Sequence, residues 1–424
     1  MKATARTSPL PAPSLVPAAS VQGPGLLLIG ALYLTQGLPL GFLFEALPVL
    51  LRQNGASLDL IALLPITALP WIFKFLWAPL VDNHGGACLG RRRSWILPMQ
   101  AILIVTLLLS AMLSPEPENV LTLIVLFFIG SMAAATQDTA TDGLAAETLT
   151  GARLVTANAL QAAGMMAGFM LGGAGALIVA DTAGYAGALT MLAFVTLLSL
   201  VPVLLWREPP PVVPAYGSSK PRPARLRHTL KREGVLLLLL LSLAYGTAHS
   251  AGLSLSRLML TDAGWSLADI GMLAATGGLG MIFVGAPAGS RLTTRLGIWR
   301  TFGAGLLLAI SATGLWILLA QGLLPLNMLL SSLATLALGT AGGIISVAAG
   351  TLSMRFAARG IQAGTDMTVL QSAHVTGDML SGSLAVALAA ASGYGAALGA
   401  VIAVTLLTLL LVARMMRRPA LHDL

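Results

Sequence analysis

Long apolar runs recur along the chain with few charges inside them. They cover roughly residues 25–50, 58–81, 94–113, 119–141, 155–180, 184–206, 234–256, 268–290, 299–320, 325–347, 366–391 and 393–413. A hydrocarbon core of about 30 Å needs about 20 apolar residues in a helix. Backbone groups in lipid must bond within their own segment, so each run reads as a membrane-spanning helix. The runs do not alternate apolar and polar positions as barrel strands do. The pattern predicts an all-α polytopic membrane protein with 12 transmembrane helices in two six-helix bundles. Residues 1–23 read as a disordered Pro-rich tail, 24–206 as the N-terminal bundle and 207–233 as a basic, Pro-rich linker. Residues 234–413 read as the C-terminal bundle and 414–424 as a second tail. The first apolar run is too long for a cleaved signal and is followed by more of the same, so it reads as a retained span.

Composition sharpens this picture. Of 424 residues, 56% are hydrophobic and 9% charged, against about 25% charged in soluble domains, so a soluble fold could not cover its surface. The net charge of +8 first suggests nucleic acid. Its placement argues otherwise. Lys2, Arg6, Arg91, Arg92, Arg93, Arg153, Arg207, the six basic residues of 220–232, Arg291, Arg295, Arg300, Arg355, Arg359, Arg414, Arg417 and Arg418 fall on one side of the span pattern; Arg52 and Arg257 fall on the other. That asymmetry predicts both termini and the linker in the cytoplasm and leaves no role for nucleic acid. One cysteine, Cys88, excludes an internal disulfide.

The two halves echo each other. Ala78-Pro79-Leu80-Val81-Asp82 and Gly90-Arg91-Arg92-Arg93-Ser94-Trp95 follow span 2; Ala286-Pro287-Ala288-Gly289-Ser290-Arg291 and Gly297-Ile298-Trp299-Arg300-Thr301 follow span 8. Leu160-Gln161-Ala162-Ala163 in span 5 matches Leu370-Gln371-Ser372-Ala373 in span 11. Such internal similarity points to a duplicated transporter core. Six plus six spans with a charged 2–3 loop resemble the major facilitator superfamily. Asp82, Gly90, Arg91, Arg92 and Arg93 resemble that superfamily's cytoplasmic gate motif, although Pro79 and Leu80 replace its leading glycine and the spacer is longer.

Four strings narrow the resemblance: Leu32-Tyr33-Leu34-Thr35-Gln36-Gly37-Leu38-Pro39-Leu40-Gly41-Phe42, Trp71-Ile72-Phe73-Lys74-Phe75-Leu76-Trp77-Ala78-Pro79-Leu80-Val81-Asp82, the Gly90–Trp95 string, and Thr136-Gln137-Asp138-Thr139-Ala140-Thr141-Asp142-Gly143. Together these resemble the AmpG-type muropeptide permeases. They are similar, above all over residues 25–165, to their shorter siderophore-carrying relatives of the rhizobactin, pyochelin and yersiniabactin type. The resemblance implies a bacterial inner-membrane secondary transporter, not an enzyme. It would import a siderophore or metal–siderophore complex by proton-coupled alternating access; a muropeptide permease and a non-transporting membrane sensor or accessory protein are the alternatives.

Ionisable groups inside a membrane are expensive and mark function or pairing. Glu45, Lys74, Asp138, His249, His374 and Asp378 all fall in spans. Lys74 and Asp138 lie at similar depth and form either a coupling pair or a static bridge. His374 and Asp378 are i, i+4 and share a helix face with Gln371, an arrangement suited to binding a proton. Tyr245 and His249 share the same spacing. Tyr33, Gln36 and Trp71 are candidate substrate contacts. Asp82 and Asp142 sit near the surface of the pattern, where the basic loop would meet them. Gly164, Gly168 and Gly172 in span 5 and the glycines of span 8 suit either a sliding contact between the halves, as the superfamily resemblance implies, or ordinary packing. No Walker A or catalytic string occurs, and no His, Cys or carboxylate spacing calls for a dedicated metal site or cofactor. The partners expected are the siderophore, protons and lipid, with a monomer sufficient.

Overall fold

The computed structural model describes residues 25–61, 63–86, 89–208, 223–246 and 250–418. Helices account for the regular structure of these residues. Eight described segments are long and apolar enough to cross a membrane. Two of them each hold two helices. Gly184 and Gly393 adopt φ values of 73° and 83° inside otherwise helical runs, a conformation that glycine tolerates and that turns the chain back. Two shorter apolar helices, Leu64–Leu76 and Val235–Tyr245, complete twelve spans.

In chain order, α1 is Leu26–Gln53. The second span, α2, is Leu64–Leu76 followed by Ala78–Asn83. Then come α3 (Arg93–Ala111), α4 (Val120–Thr148), α5 (residues 151–183) and α6 (residues 185–205). In the second half, α7 is Val235–Tyr245 followed by Ser250–Asp262, and α8 is Asp269–Leu296. The last four are α9 (Ile298–Ala320), α10 (Met328–Ala358), α11 (residues 363–392) and α12 (residues 394–416). Proline punctuates α2, because Pro65, Pro70 and Pro79 each stand in the first turn of a new helical piece. Part of the stretch expected as a linker is helical, at Leu226–Leu230.

Each half has its own core. Leu38, Phe42, Leu123, Phe127 and Leu189 pack together in the first half, and Phe302, Leu306, Leu338, Ile345 and Leu370 in the second. Mixed clusters join the halves: Ile29, Tyr33 and Leu154 meet Met354 and Met367, and Val155 and Ala162 meet Met281 and Val347.

Of the two readings the sequence leaves for the glycines, the structure favours packing within each half. Gly164, Gly168 and Gly172 of α5 abut Gly30, Leu34, Gly37 and Leu38 of α1, within one half. Gly277, Gly280 and Gly285 of α8 abut Thr335, Leu336, Gly339, Thr340 and Gly343 of α10. Gly278 alone among these faces across the halves, toward Met170 of α5. Small residues let backbones touch, and these positions are spent inside each bundle, holding it rigid.

Candidate functional site

A cavity of about 510 Å³ lies between the halves. Trp71, Lys74, Asp138, Asn158, Gln161 and Met165 line it from the first half; Tyr245, Met281, Ser346, Gly350, Gln371, His374 and Asp378 line it from the second. Its size and mixed lining suit one small molecule.

Lys74 and Asp138 pair directly, each almost wholly buried. The Lys74 ammonium also donates to Gln371 Oε1 at 2.5 Å, a bond from α2 to α11 in the opposite half. Trp71 lies one helical turn before Lys74, whose Nζ stands 5.2 Å from its ring centroid. On the other wall, His374 stacks on Tyr245 with centroids 4.2 Å apart and an interplanar angle of 13°. His374 Nε2 is 3.7 Å from Asp378 Oδ2. Trp71 Nε1, Asn158 Oδ1 and His374 Nδ1 are buried without hydrogen-bond partners. These fixed polar points, with Gln161 and Asp378 on the same mixed wall, are what a ligand would meet.

Toward the end that carries the basic loops, the halves are fastened. Asp82 Oδ2 accepts from the Thr365 backbone N–H at 2.6 Å and from its hydroxyl at 2.7 Å. Thr368 donates to Thr139 at 3.1 Å. Arg92, 1% exposed, bridges Asp82 at 2.7 Å and Glu147 at 2.6 Å. Burial pulls its guanidinium down, but the two carboxylates outweigh this and hold it above the ordinary arginine value. Arg91 also pairs with Glu147, at 2.5 Å. The Glu208 carboxylate accepts from the backbone N–H groups of Arg92 and Arg93, placing negative charge on the N-terminus of α3. Gly90, at φ 91°, makes the turn that brings these amides together. At the opposite end, the described ion pair between the halves is Glu45–Arg257 at 3.4 Å, both about half exposed.

Several expectations need correcting. Asp142 does not sit near the surface against the basic loop; α4 continues to Thr148, which puts Asp142 at 0% exposure with Tyr33 donating to it at 2.6 Å. The Tyr33 hydroxyl is thereby taken by Asp142, and Gln36 is fully buried; neither lines the cavity. Glu45 stands at the mouth, away from the cavity wall. Arg257 belongs to the α7 helix and not to a loop. His249 lies outside the described residues, as do the tail 1–24 and residues 209–222. Asp82 does meet the basic loop, through Arg92, and also reaches the other half. Among the described residues no group of three His, Cys or carboxylates is placed to hold a metal ion.

The sequence reading passed over Gln161, Asn158, Glu147, Glu208 and Thr365. Gln161 was within reach, since it occupies the place in α5 that Gln371 occupies in α11. Gln161 donates to Asp142 at 3.2 Å while Gln371 holds Lys74.

Arg92→Met is expected to cost about 3–5 kcal/mol, because it strands the buried Asp82 carboxylate. Arg92→Lys should recover only part of this, since an ammonium cannot fork between two carboxylates. The thermal midpoint of the detergent-solubilised protein measures both; an Arg92→Met protein as stable as the parent would remove this bridge from the account.

Comparison with known proteins agrees with this architecture. Residues 29–377 match the Major Facilitator Superfamily. The anhydromuropeptide permease of Escherichia coli (strain K12) is 27% identical over 297 residues, covering 69% of this chain. The chain spans 60% of that relative's length. The crystal structure of the human organic anion transporter MFSD10 superposes with a TM-score of 0.69 at 17% identity, covering 91% of this chain and 98% of that one. The E. coli fucose:proton symporter FucP gives 0.70 at 13% identity, covering 93% and 98%.

Proposed function

The chain belongs to the Major Facilitator Superfamily, and from that premise we propose that it is a proton-coupled importer of a cell-wall-derived muropeptide in a bacterial inner membrane. The observation that carries transport by alternating access is the cavity between the halves, fastened at the basic end by buried hydrogen bonds and, among the described residues, at the other end by the half-exposed Glu45–Arg257 pair. With the basic loops in the cytoplasm, this is the arrangement that receives a solute from outside. The substrate class is supported by the similarity to the E. coli anhydromuropeptide permease and by a wall that offers both polar points and aromatic faces to a sugar–peptide. Asn158, Gln161, Trp71, His374 and Asp378 are the residues proposed to face it.

A second reading rests on one observation. Trp71, the Tyr245–His374 stack, Met165, Met281 and Met379 give much of the wall a flat, apolar character. That suits a phenolate siderophore or its metal complex, and this is the substrate the sequence resemblance first implied.

Uptake into spheroplasts of a strain lacking the gene, with and without the gene restored, separates the two. Labelled anhydro-muropeptide should accumulate in a gene-dependent manner and stop with a protonophore. Accumulation of radioiron-loaded phenolate siderophore instead would install the second reading. Movement of neither would return the chain to a sensor or accessory role.

A further inference from the structure

We propose that the coupling proton resides on Asp142, within a buried Lys74–Asp138–Asp142 cluster that is neutral only when one of its two carboxyls is protonated. The inference rests on the proton-coupled reading above and adds the site. Asp138 and Asp142 are i, i+4 on α4, and both are buried, at 1% and 0% exposure. One ammonium, Lys74, stands against the two carboxyls, and it binds Asp138. No cation forms an ion pair with Asp142 among the described residues. Its Oδ1 accepts from two neutral donors, Tyr33 and Gln161. Its Oδ2 meets no donor at hydrogen-bond geometry, although the Gln371 amide faces the carboxyl.

The polar groups that act on Asp142 are Tyr33 from α1, Lys74 from α2, Asp138 from α4 itself, Gln161 from α5 and Gln371 from α11. Arg92 packs against the neighbouring Gly143, but its guanidinium is taken by Asp82 and Glu147. An ionised carboxylate held only by neutral groups, with no counter-ion of its own, is costly away from water; the neutral acid is not. Oδ2, which neither the Tyr33 hydroxyl nor a cation occupies, is where the proton sits.

The same residues supply the release. Gln371 belongs to the half that must move, and it holds Lys74. Opening the basic end withdraws Gln371 and lets water reach the cluster. The Asp142 O–H bond then breaks, its proton passes to that water, and Lys74 faces two carboxylates instead of one. Gln161 lines the cavity and bonds Asp142, so it links the ligand space to the proton.

Infrared spectroscopy of the solubilised full-length protein, exchanged between H2O and deuterium oxide, reads the site without any substrate. Wild-type protein at neutral pH should show the C=O band of a buried, protonated carboxylic acid. Asp142→Asn should lose that band, and Lys74→Met should roughly double it, because both carboxyls then lack a counter-ion. Absence of the band from wild type, or its persistence in Asp142→Asn, overturns the proposal. Should Asp142→Asn fail to fold, the wild-type band and its growth in Lys74→Met still decide. Coupling is read in proteoliposomes, as labelled anhydro-muropeptide uptake with and without an inward proton gradient. Wild type should be stimulated and Asp142→Asn should not. A stimulated Asp142→Asn overturns the site's part in coupling. A wild type that shows the band yet ignores the gradient overturns the proton-coupled reading and leaves the protonated site standing.

Discussion

Lys74→Met should bring uptake to background and lower the stability of the solubilised protein by about 3–5 kcal/mol. Both effects have one cause. Among the described residues Lys74 is the ammonium bound to Asp138, and it reaches Gln371 across the halves. Removing one partner of a buried pair leaves Asp138 to take up a proton in place of its counter-ion, and the folded state loses the pair's attraction. Lys74→Met/Asp138→Asn removes both charges and should regain most of the lost stability, since a neutral amide needs neither a counter-ion nor a proton drawn from solvent. It should not regain uptake, because neither the charge nor the bond to Gln371 returns. Thermal midpoints and uptake measured on the same preparations separate these effects. A double variant as unstable as Lys74→Met would show that packing, not charge, dominates at this position. A double variant that transports would take the pair out of the mechanism.

The second large effect is expected at Gly168. A Cβ there would fall on the Leu34 carbonyl oxygen, and its partner Gly37 meets the Met165 carbonyl in the same way. Both obstacles are backbone atoms, so relief requires α1 and α5 to move apart. Gly168→Leu should leave no folded protein in the membrane. Gly168→Ala should cost about 3 kcal/mol, the upper range for an overpacked core. Gly314→Ala is the control, because a Cβ at Gly314 meets nothing within 4 Å. A helical glycine in open space is expected to gain about 0.5–1 kcal/mol on becoming alanine. Yield after membrane extraction and the thermal midpoint report both. A Gly168→Ala protein of parental stability would mean that the helices have room to part.

The span pattern was readable because each span is a local property. Hydrophobic length and internal backbone bonding need no partner, and the basic residues of the loops sort by the span pattern alone. The repeated Leu-Gln-Ala-Ala and Leu-Gln-Ser-Ala strings even marked both glutamines of the site, although only Gln371 was counted as functional. Gly184 and Gly393, which separate two pairs of spans, are visible as glycines, while their positive φ is not.

What the sequence determined by itself was therefore the spans, their order and the family resemblance. The tertiary structure decided every pairing of a buried polar group. Asp142 lies four residues beyond Asp138 at the end of an apolar run, and judged by that run alone it belongs near the loop. It is buried because α4 continues past the run and Tyr33, 109 residues away, closes over it. Lys74 finds Gln371 from 297 residues away. The glycines of α5 face α1 and not α8 for the same kind of reason. In lipid, apolar surface gains little by choosing one helix over another, so the choice falls to backbone fit and to the few hydrogen bonds that must be made. Those depend on the shapes of two helices at once, which no single stretch of sequence contains.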